Sequence, residues 1–191
     1  MERQNLPVII CFNKAELAGG GERERLAKDY EGSGCRVLFA SGKEGWGISG
    51  IRDCLSGKTT VLAGPSGVGK STIVNSLAPC ARMETGEISR KTQRGKHTTR
   101  HAELFALSAD TFIMDTPGFT ALELSEMEKE ELKGYYPEFG KYEENCRFGG
   151  CVHINEPDCG VKEALLSGQI SQVRYDNYRL LFEEIRGRKK Y

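Results

Sequence analysis

Thr59-Thr-Val-Leu-Ala63 is an apolar, β-branched run that leads straight into Gly64-Pro-Ser-Gly-Val-Gly-Lys-Ser71 and then Thr72-Ile-Val-Asn-Ser-Leu77. The first part reads as a buried strand and the last as a helix. The residues between them fit G-x-x-x-x-G-K-[ST], in register with the strand-to-helix junction. Glycines there let the backbone curl so that successive N–H groups point inward at phosphate oxygens. The helix N-terminus adds its partial positive charge. This predicts an α/β fold with a phosphate-binding loop made of Gly64, Pro65, Ser66, Gly67, Val68, Gly69, Lys70, Ser71 and Thr72. Lys70 is expected to reach the outer phosphates and Ser71 to ligate Mg2+. The motif alone does not choose adenine or guanine.

Base-recognition signals lie upstream. Val8-Ile-Ile-Cys-Phe12 reads as a strand and is followed at once by Asn13-Lys-Ala-Glu16, which is similar to the N-K-x-D element of GTPases. In that element the Asn amide contacts the purine and the Lys stem packs on the ring. The carboxylate accepts from N1–H and the exocyclic amine of guanine, donors that adenine does not match. Here Glu16 stands where Asp is usual and keeps both acceptor oxygens one methylene further out. A second strand, Arg36-Val-Leu-Phe-Ala40, is followed by Ser41-Gly42-Lys43, which resembles the S-A-K element whose backbone meets guanine O6. Asn13, Lys14, Ala15, Glu16, Ser41, Gly42 and Lys43 are therefore the expected base pocket.

Downstream, Arg82 to Thr99 shows no apolar period and reads as a long loop. From Ile88 to His101 it carries five Lys/Arg, two His and no acid. His101–Leu107 and Thr111–Met114 read as a hairpin turning at Asp110, and Asp115-Thr-Pro-Gly118 follows as D-x-x-G. Asp115 would hold Mg2+ through water, and the Gly118 N–H would meet a γ-phosphate. Phe119 stands where many GTPases place a water-orienting Gln, and a phenyl ring cannot do that. In His97-Thr-Thr99, Thr99 (with Thr98 second) is the candidate Mg2+ ligand, and His97 the candidate for orienting water.

Lys plus Arg is 27 and Asp plus Glu is 27, which excludes a uniformly basic nucleic-acid binder. The average hides the basic loop and an acidic stretch, Ala121 to Glu144, with eight Glu against three Lys. No signal peptide or membrane span is apparent, so a cytoplasmic protein is expected. Seven cysteines cannot all pair internally. Cys146-x4-Cys151-x-His153-x5-Cys159 gives four ligands, the closed set of one structural zinc per chain. Cys11, Cys35, Cys54 and Cys80 read as ordinary thiols. The tail from Gln169 reads as an amphipathic helix whose Tyr175, Tyr178, Leu181, Phe182 and Ile185 pack into a core.

These motifs together resemble the ribosome small-subunit-dependent GTPase family, RsgA. The hallmark is order. Ordinary GTPases run phosphate loop, Thr, D-x-x-G, N-K-x-D, S-A-K, whereas here Asn13 and Ser41 precede Gly64. The loop Gly95-Lys-His97-Thr-Thr99 and the Cys/His spacing match the family too. The resemblance implies a circularly permuted GTPase domain of the P-loop NTPase class with a mostly parallel sheet over residues 1–124. It also implies a small C-terminal helical zinc-binding domain over 125–191. It further implies hydrolysis of GTP to GDP and phosphate, Mg2+ with the nucleotide, and action as a monomer in late assembly of the small (30S) ribosomal subunit and on its rRNA. The alternatives are a guanylate-type nucleotide kinase and a zinc-stapled RNA- or ribosome-binding module with an inactive pocket. Permutation also makes D-x-x-G feed directly into the Cys/His segment, so a nucleotide-dependent shift of the C-terminal module is expected. The family carries an OB-type barrel, a strand and a helix ahead of N-K-x-D, whereas Met1 to Pro7 alone precede the first strand here. A central strand is then expected to be missing between those beginning at Thr59 and Val8, as in a fragment, a truncated reading frame or a chain completed by a partner segment.

Overall fold

The apolar runs upstream of the phosphate loop each form a strand of four residues: β1 (Ile9–Phe12), β2 (Arg36–Phe39) and β3 (Thr59–Leu62). The structure is a computed structural model and describes residues 6–78, 103–115 and 127–188. Cys80, His97, Thr98, Thr99 and the rest of the basic loop lie outside the described residues, as do Gly118 and Phe119.

The helices follow the strands in alternation: α1 (Glu22–Asp29), α2 (Ile48–Leu55) and α3 (Lys70–Leu77). The hairpin read around Asp110 forms as β4 (Glu103–Ala106) and β5 (Phe112–Asp115), paired antiparallel. Its turn closes through Leu107 N–H on the Thr111 carbonyl, and Asp110 Oδ1 accepts from both Ser108 and Thr111 hydroxyls. β5 also pairs in parallel with β3, with Thr59 opposite Phe112 and Leu62 opposite Asp115. One sheet therefore runs β3-β5-β4 and a second is β1-β2.

Contacts divide the chain into two compact units, one of residues 11–19 and 38–122, the other of 1–10, 20–37 and 123–191. In the first, Ile48, Ile51 and Leu55 of α2 meet Ile73, Val74 and Leu77 of α3, with Ile113 of β5 fully buried among them. Burying each such side chain contributes about 1.5–3 kcal/mol, which is what holds the loop between β3 and α3 against the sheet. Gly47 is required at the start of α2: its φ is +75°, and a Cβ there would collide with the Phe39 carbonyl.

The second unit is built on α4 (Pro137–Gly140), α5 (Gly160–Leu166) and α6 (Gln172–Gly187), with short 3-10 turns at Leu132–Tyr135 and Glu143–Asn145. The tail helix starts at 172 rather than 169 because Ser171 caps it, its hydroxyl accepting from Arg174 N–H. Tyr175, Tyr178, Phe182 and Ile185 are buried and Leu181 is partly so, joining Phe139, Val161 and Ile170 in one core. The charged helix α1 belongs to this unit, although none of its residues is buried. Ser171 Oγ donates to Asp29 Oδ1 at 2.9 Å, and the Arg174 guanidinium lies over both Tyr136 and Tyr30.

Candidate functional site

The loop Gly64–Gly69 leaves β3 and enters α3, whose N-cap Gly69 has φ +91°. Lys70 Nζ donates to the carbonyls of Gly64 (2.7 Å) and Pro65 (3.1 Å), so the ammonium lies across the mouth of its own loop. Ser71 and Thr72, the first helical residues after Lys70, are half-buried. Asp115 is the last residue of β5 and stands opposite Leu62, the last residue of β3.

Asn13 follows β1 and connects two other segments. Its Nδ2 donates to the Val68 carbonyl at 2.8 Å, and its Oδ1 accepts from Gly42 N–H at 3.0 Å. Lys14, in the left-handed region at φ +60°, donates from Nζ to the Gly67 carbonyl at 2.8 Å. The structure thus brings Asn13, Lys14, Gly42 and the phosphate loop together across more than fifty positions of sequence. The loop of Ser41–Lys43 also rests on α3, since Ser76 Oγ donates to the Gly42 carbonyl at 2.9 Å.

Glu16 sits in a short turn with buried Ala15. The Ser41 hydroxyl donates to its carboxylate and is the main reason its pKa lies below the usual glutamate value, with Lys43 and Lys14 adding attraction. Ser41 is fully buried, and its Oγ also accepts from Glu44 N–H. Glu16 Oε2 is the one buried side-chain oxygen among the described residues without a hydrogen-bond partner. A buried carboxylate oxygen left unpaired is costly, so the position suits a ligand that carries N–H donors.

In the other unit, one ligand atom from each of Cys146, Cys151, His153 and Cys159 lies within 4.8 Å of the others. Cys151, His153 and Cys159 are buried. Burial pushes the Cys151 thiol up to about 12 and raises Cys159 as well, so ionised sulfurs here need a cation beside them. Burial also lowers the His153 pKa, which favours the neutral imidazole that ligates metal. Three thiols and a neutral imidazole so arranged fit a tetrahedral zinc ion. The loop carrying them is shaped by Glu156, whose carboxylate accepts from the N–H groups of Val152, Ile154 and Asn155. Tyr175 and Tyr178 donate to the carbonyls of His153 and Val152, both at 2.6 Å. The ligand spacing was visible in sequence, whereas these supports were not; the tyrosines showed only as an apolar stripe. Cys11, Cys35 and Cys54 are free thiols. No helix among the described residues is long and apolar enough to cross a membrane.

Among proteins of known sequence, the chain is 57% identical over 191 residues to the small ribosomal subunit biogenesis GTPase RsgA of Agathobacter rectalis, covering all of this chain and 63% of that protein. It is 45% identical over 190 residues to the protein of the same name from Alkaliphilus metalliredigens, covering 65% of it. The chain therefore spans less than two thirds of these relatives' length. Among solved structures, the crystal structure of YjeQ from Thermotoga maritima matches with a TM-score of 0.79 and 36% identity, over 98% of this chain and 63% of that one. YloQ, described as a circularly permuted GTPase, matches with a TM-score of 0.72 and 35% identity, over 96% of this chain and 58% of that one. The α/β unit with its parallel strands is a circularly permuted GTPase fold, followed in sequence by a Cys3His group able to bind zinc. The family model described as RsgA GTPase matches residues 1–125, the span that holds the strand-end Asn13, the buried Ser41 and the phosphate loop, and on that match the chain belongs to the RsgA GTPase family.

Proposed function

We propose that this chain binds GTP, hydrolyses it to GDP and phosphate, and acts in maturation of the small ribosomal subunit, as the name of its relatives states for them. The observation that carries guanine recognition is Glu16. Its unpaired buried oxygen, on a carboxylate whose pKa the Ser41 hydroxyl lowers, suits the paired N1–H and amine donors of guanine and no edge of adenine. Asn13 and Lys14 bond this pocket to the phosphate loop, so base and phosphates are gripped by one connected structure.

The remaining roles follow from motif positions. Gly64, Pro65, Ser66, Gly67, Val68, Gly69, Lys70, Ser71 and Thr72 cradle the phosphates, with Lys70 swinging from its loop carbonyls to the outer ones. Ser71 and Thr99 ligate Mg2+, Asp115 holds it through water, and the Gly118 N–H senses the γ-phosphate. His97 orients the attacking water in place of the usual Gln. Zinc on Cys146, Cys151, His153 and Cys159 supplies folding energy and leaves no open coordination position for chemistry. We assign residues 1–124 to the GTPase domain and 125–191 to the zinc-binding domain, and place the protein as a monomer in the cytoplasm. The relatives' name favours this reading over a nucleotide kinase or an inactive module.

The test is a titration with labelled GTP and ATP, followed by phosphate release with and without purified small ribosomal subunits. Tight GTP binding without ATP binding, and release stimulated by subunits, is the expected result. Equal affinity for both nucleotides would defeat guanine recognition, and release that subunits leave unchanged would defeat the ribosomal role.

A further inference from the structure

His153 offers two ring nitrogens to two different surroundings. Nδ1 lies 3.3 Å from Cys159 Sγ and 3.6 Å from Cys146 Sγ. Nε2 lies 3.3 Å from Glu143 Oε1, on the side away from the thiols. The other oxygen of that carboxylate, Oε2, accepts from Lys133 Nζ at 3.3 Å. We infer that Glu143 is a positioning residue of the Cys/His cluster: it takes the Nε2–H of His153, so that Nδ1 is the metal-binding nitrogen, and Lys133 holds Glu143 in that role.

Geometry argues for this over a chance contact. The ring is fully buried. Its backbone is pinned at φ +60° by Tyr175, which donates to the His153 carbonyl, and Phe139 meets the ring edge-on at 5.7 Å. Turning the ring over by half a rotation would present Cδ2 to the thiols and Cε1 to Glu143, losing both contacts. One orientation alone satisfies both ends.

Chemistry gives the contact its purpose. A neutral imidazole carries one N–H and one lone pair, and a carboxylate on the far nitrogen decides which is which. It also raises the basicity of the ligating nitrogen, as carboxylate–histidine–metal arrangements do. Charge explains Lys133. Three thiolates on a divalent cation leave one negative charge, and the Glu143 carboxylate adds another close by. The Lys133 ammonium offsets that second charge without touching a ligand. Both residues lie in 3-10 turns, Leu132–Tyr135 and Glu143–Asn145, outside the Cys146–Cys159 motif, so ligand spacing does not reveal them.

The inference rests on the cluster holding zinc, and the experiment separates the two. The full chain is loaded with zinc, its bound metal counted, and its histidines labelled with 15N. Long-range proton–nitrogen spectra then read the tautomer of His153. The expected result is a protonated Nε2 and a metal-bound Nδ1. Zinc bound through Nε2 overturns the inference and leaves the zinc reading intact, whereas a chain that takes up no zinc overturns both. Competition with a chromophoric chelator supplies the second measurement. Glu143→Ala is expected to weaken zinc binding about 10- to 100-fold. Glu143→Gln, whose amide oxygen can still accept from Nε2–H, should recover most of that loss, and Glu144→Ala should lose nothing. Unchanged affinity in Glu143→Ala, or a Gln variant no better than Ala, would overturn the role. If Glu143→Ala does not fold, the tautomer of the unaltered chain decides.

Discussion

Asn13 Nδ2 donates to the Val68 carbonyl at 2.8 Å and so ties the end of the first strand to the phosphate loop 55 positions later. The same amide accepts from Gly42 N–H through Oδ1. Asn13→Ala breaks both hydrogen bonds at once. At about 1 kcal/mol each, the loss corresponds to a roughly 30-fold weaker grip on GTP. Titration of labelled GTP measures it, and a change under threefold would show that the link does not support binding.

Gly69→Ala addresses the same contact from the other side. A Cβ at Gly69 would collide with Asn13 Nδ2, and the backbone there is left-handed at φ +91°. We expect a larger loss of nucleotide affinity than in Asn13→Ala, because strain of about 1–3 kcal/mol is added to the displaced amide. In the double variant the collision is gone, so its loss should be smaller than the sum of the two single losses. Strict additivity would mean that the collision is absent.

The phosphate loop was legible in sequence because its glycines answer a backbone requirement that only a few spacings satisfy. Cys146, Cys151, His153 and Cys159 were legible for a similar reason, since a closed metal site restricts which residue types can recur within one short segment. The Asn13–Val68 bond was not, because nothing local to either residue encodes a partner so distant. Nor does sequence mark helix α1 as a neighbour of α6: it buries no side chain and is joined through Asp29 to Ser171 and through Tyr30 to Arg174. Leu132–Tyr135 and Glu143–Asn145 escaped because single 3-10 turns are too short to show a period.

The Glu16 carboxyl should give guanine recognition an acid limit. Its pKa is held below the ordinary 4.5, first by the Ser41 hydroxyl. A carboxyl with a depressed native value stays ionised at neutral pH. What it contributes is present above the ordinary value and lost as pH falls through the lowered one. Ser41→Ala removes the leading cause, so the acid limb of GDP binding should move to higher pH, toward 4.5. Protonation of the nucleotide itself affects both proteins alike and cancels in the comparison. Superimposable acid limbs would sink the assignment.

Arg174 and Glu138 form a two-pronged pair, Nε to Oε1 at 2.7 Å and the outer nitrogen to Oε2 at 3.3 Å, with Glu138 only 8% exposed. Removing the cation leaves a buried carboxylate unpaired. Arg174→Ala should therefore cost about 3–5 kcal/mol in its unit. Arg174→Lys should recover part of that, since an ammonium restores the charge but neither the fork nor the stacking over Tyr136. Urea unfolding of the zinc-loaded chain, followed by near-ultraviolet circular dichroism of the tyrosines, measures both. Equal stability of Ala and Lys variants would show that charge is irrelevant there.

Zinc removal should dissolve the packing around Tyr175 and Tyr178. Both hydroxyls donate to the loop that carries the ligands, at the His153 and Val152 carbonyls, and Cys151 and Cys159 belong to the same core as the rings. Without a cation, burial favours neutral thiols at Cys151 and Cys159, which no longer draw the loop together. A strong chelator should therefore abolish the tyrosine circular dichroism and open residues 127–188 to protease, and added zinc should restore both. Cys159→Ser should show the same loss at ordinary zinc concentrations, because a hydroxyl is a far poorer ligand than a thiolate and the closed set of four is broken. If the chelated chain keeps its tyrosine signal and its protease resistance, the aromatic core holds the loop by itself and zinc is not what folds it.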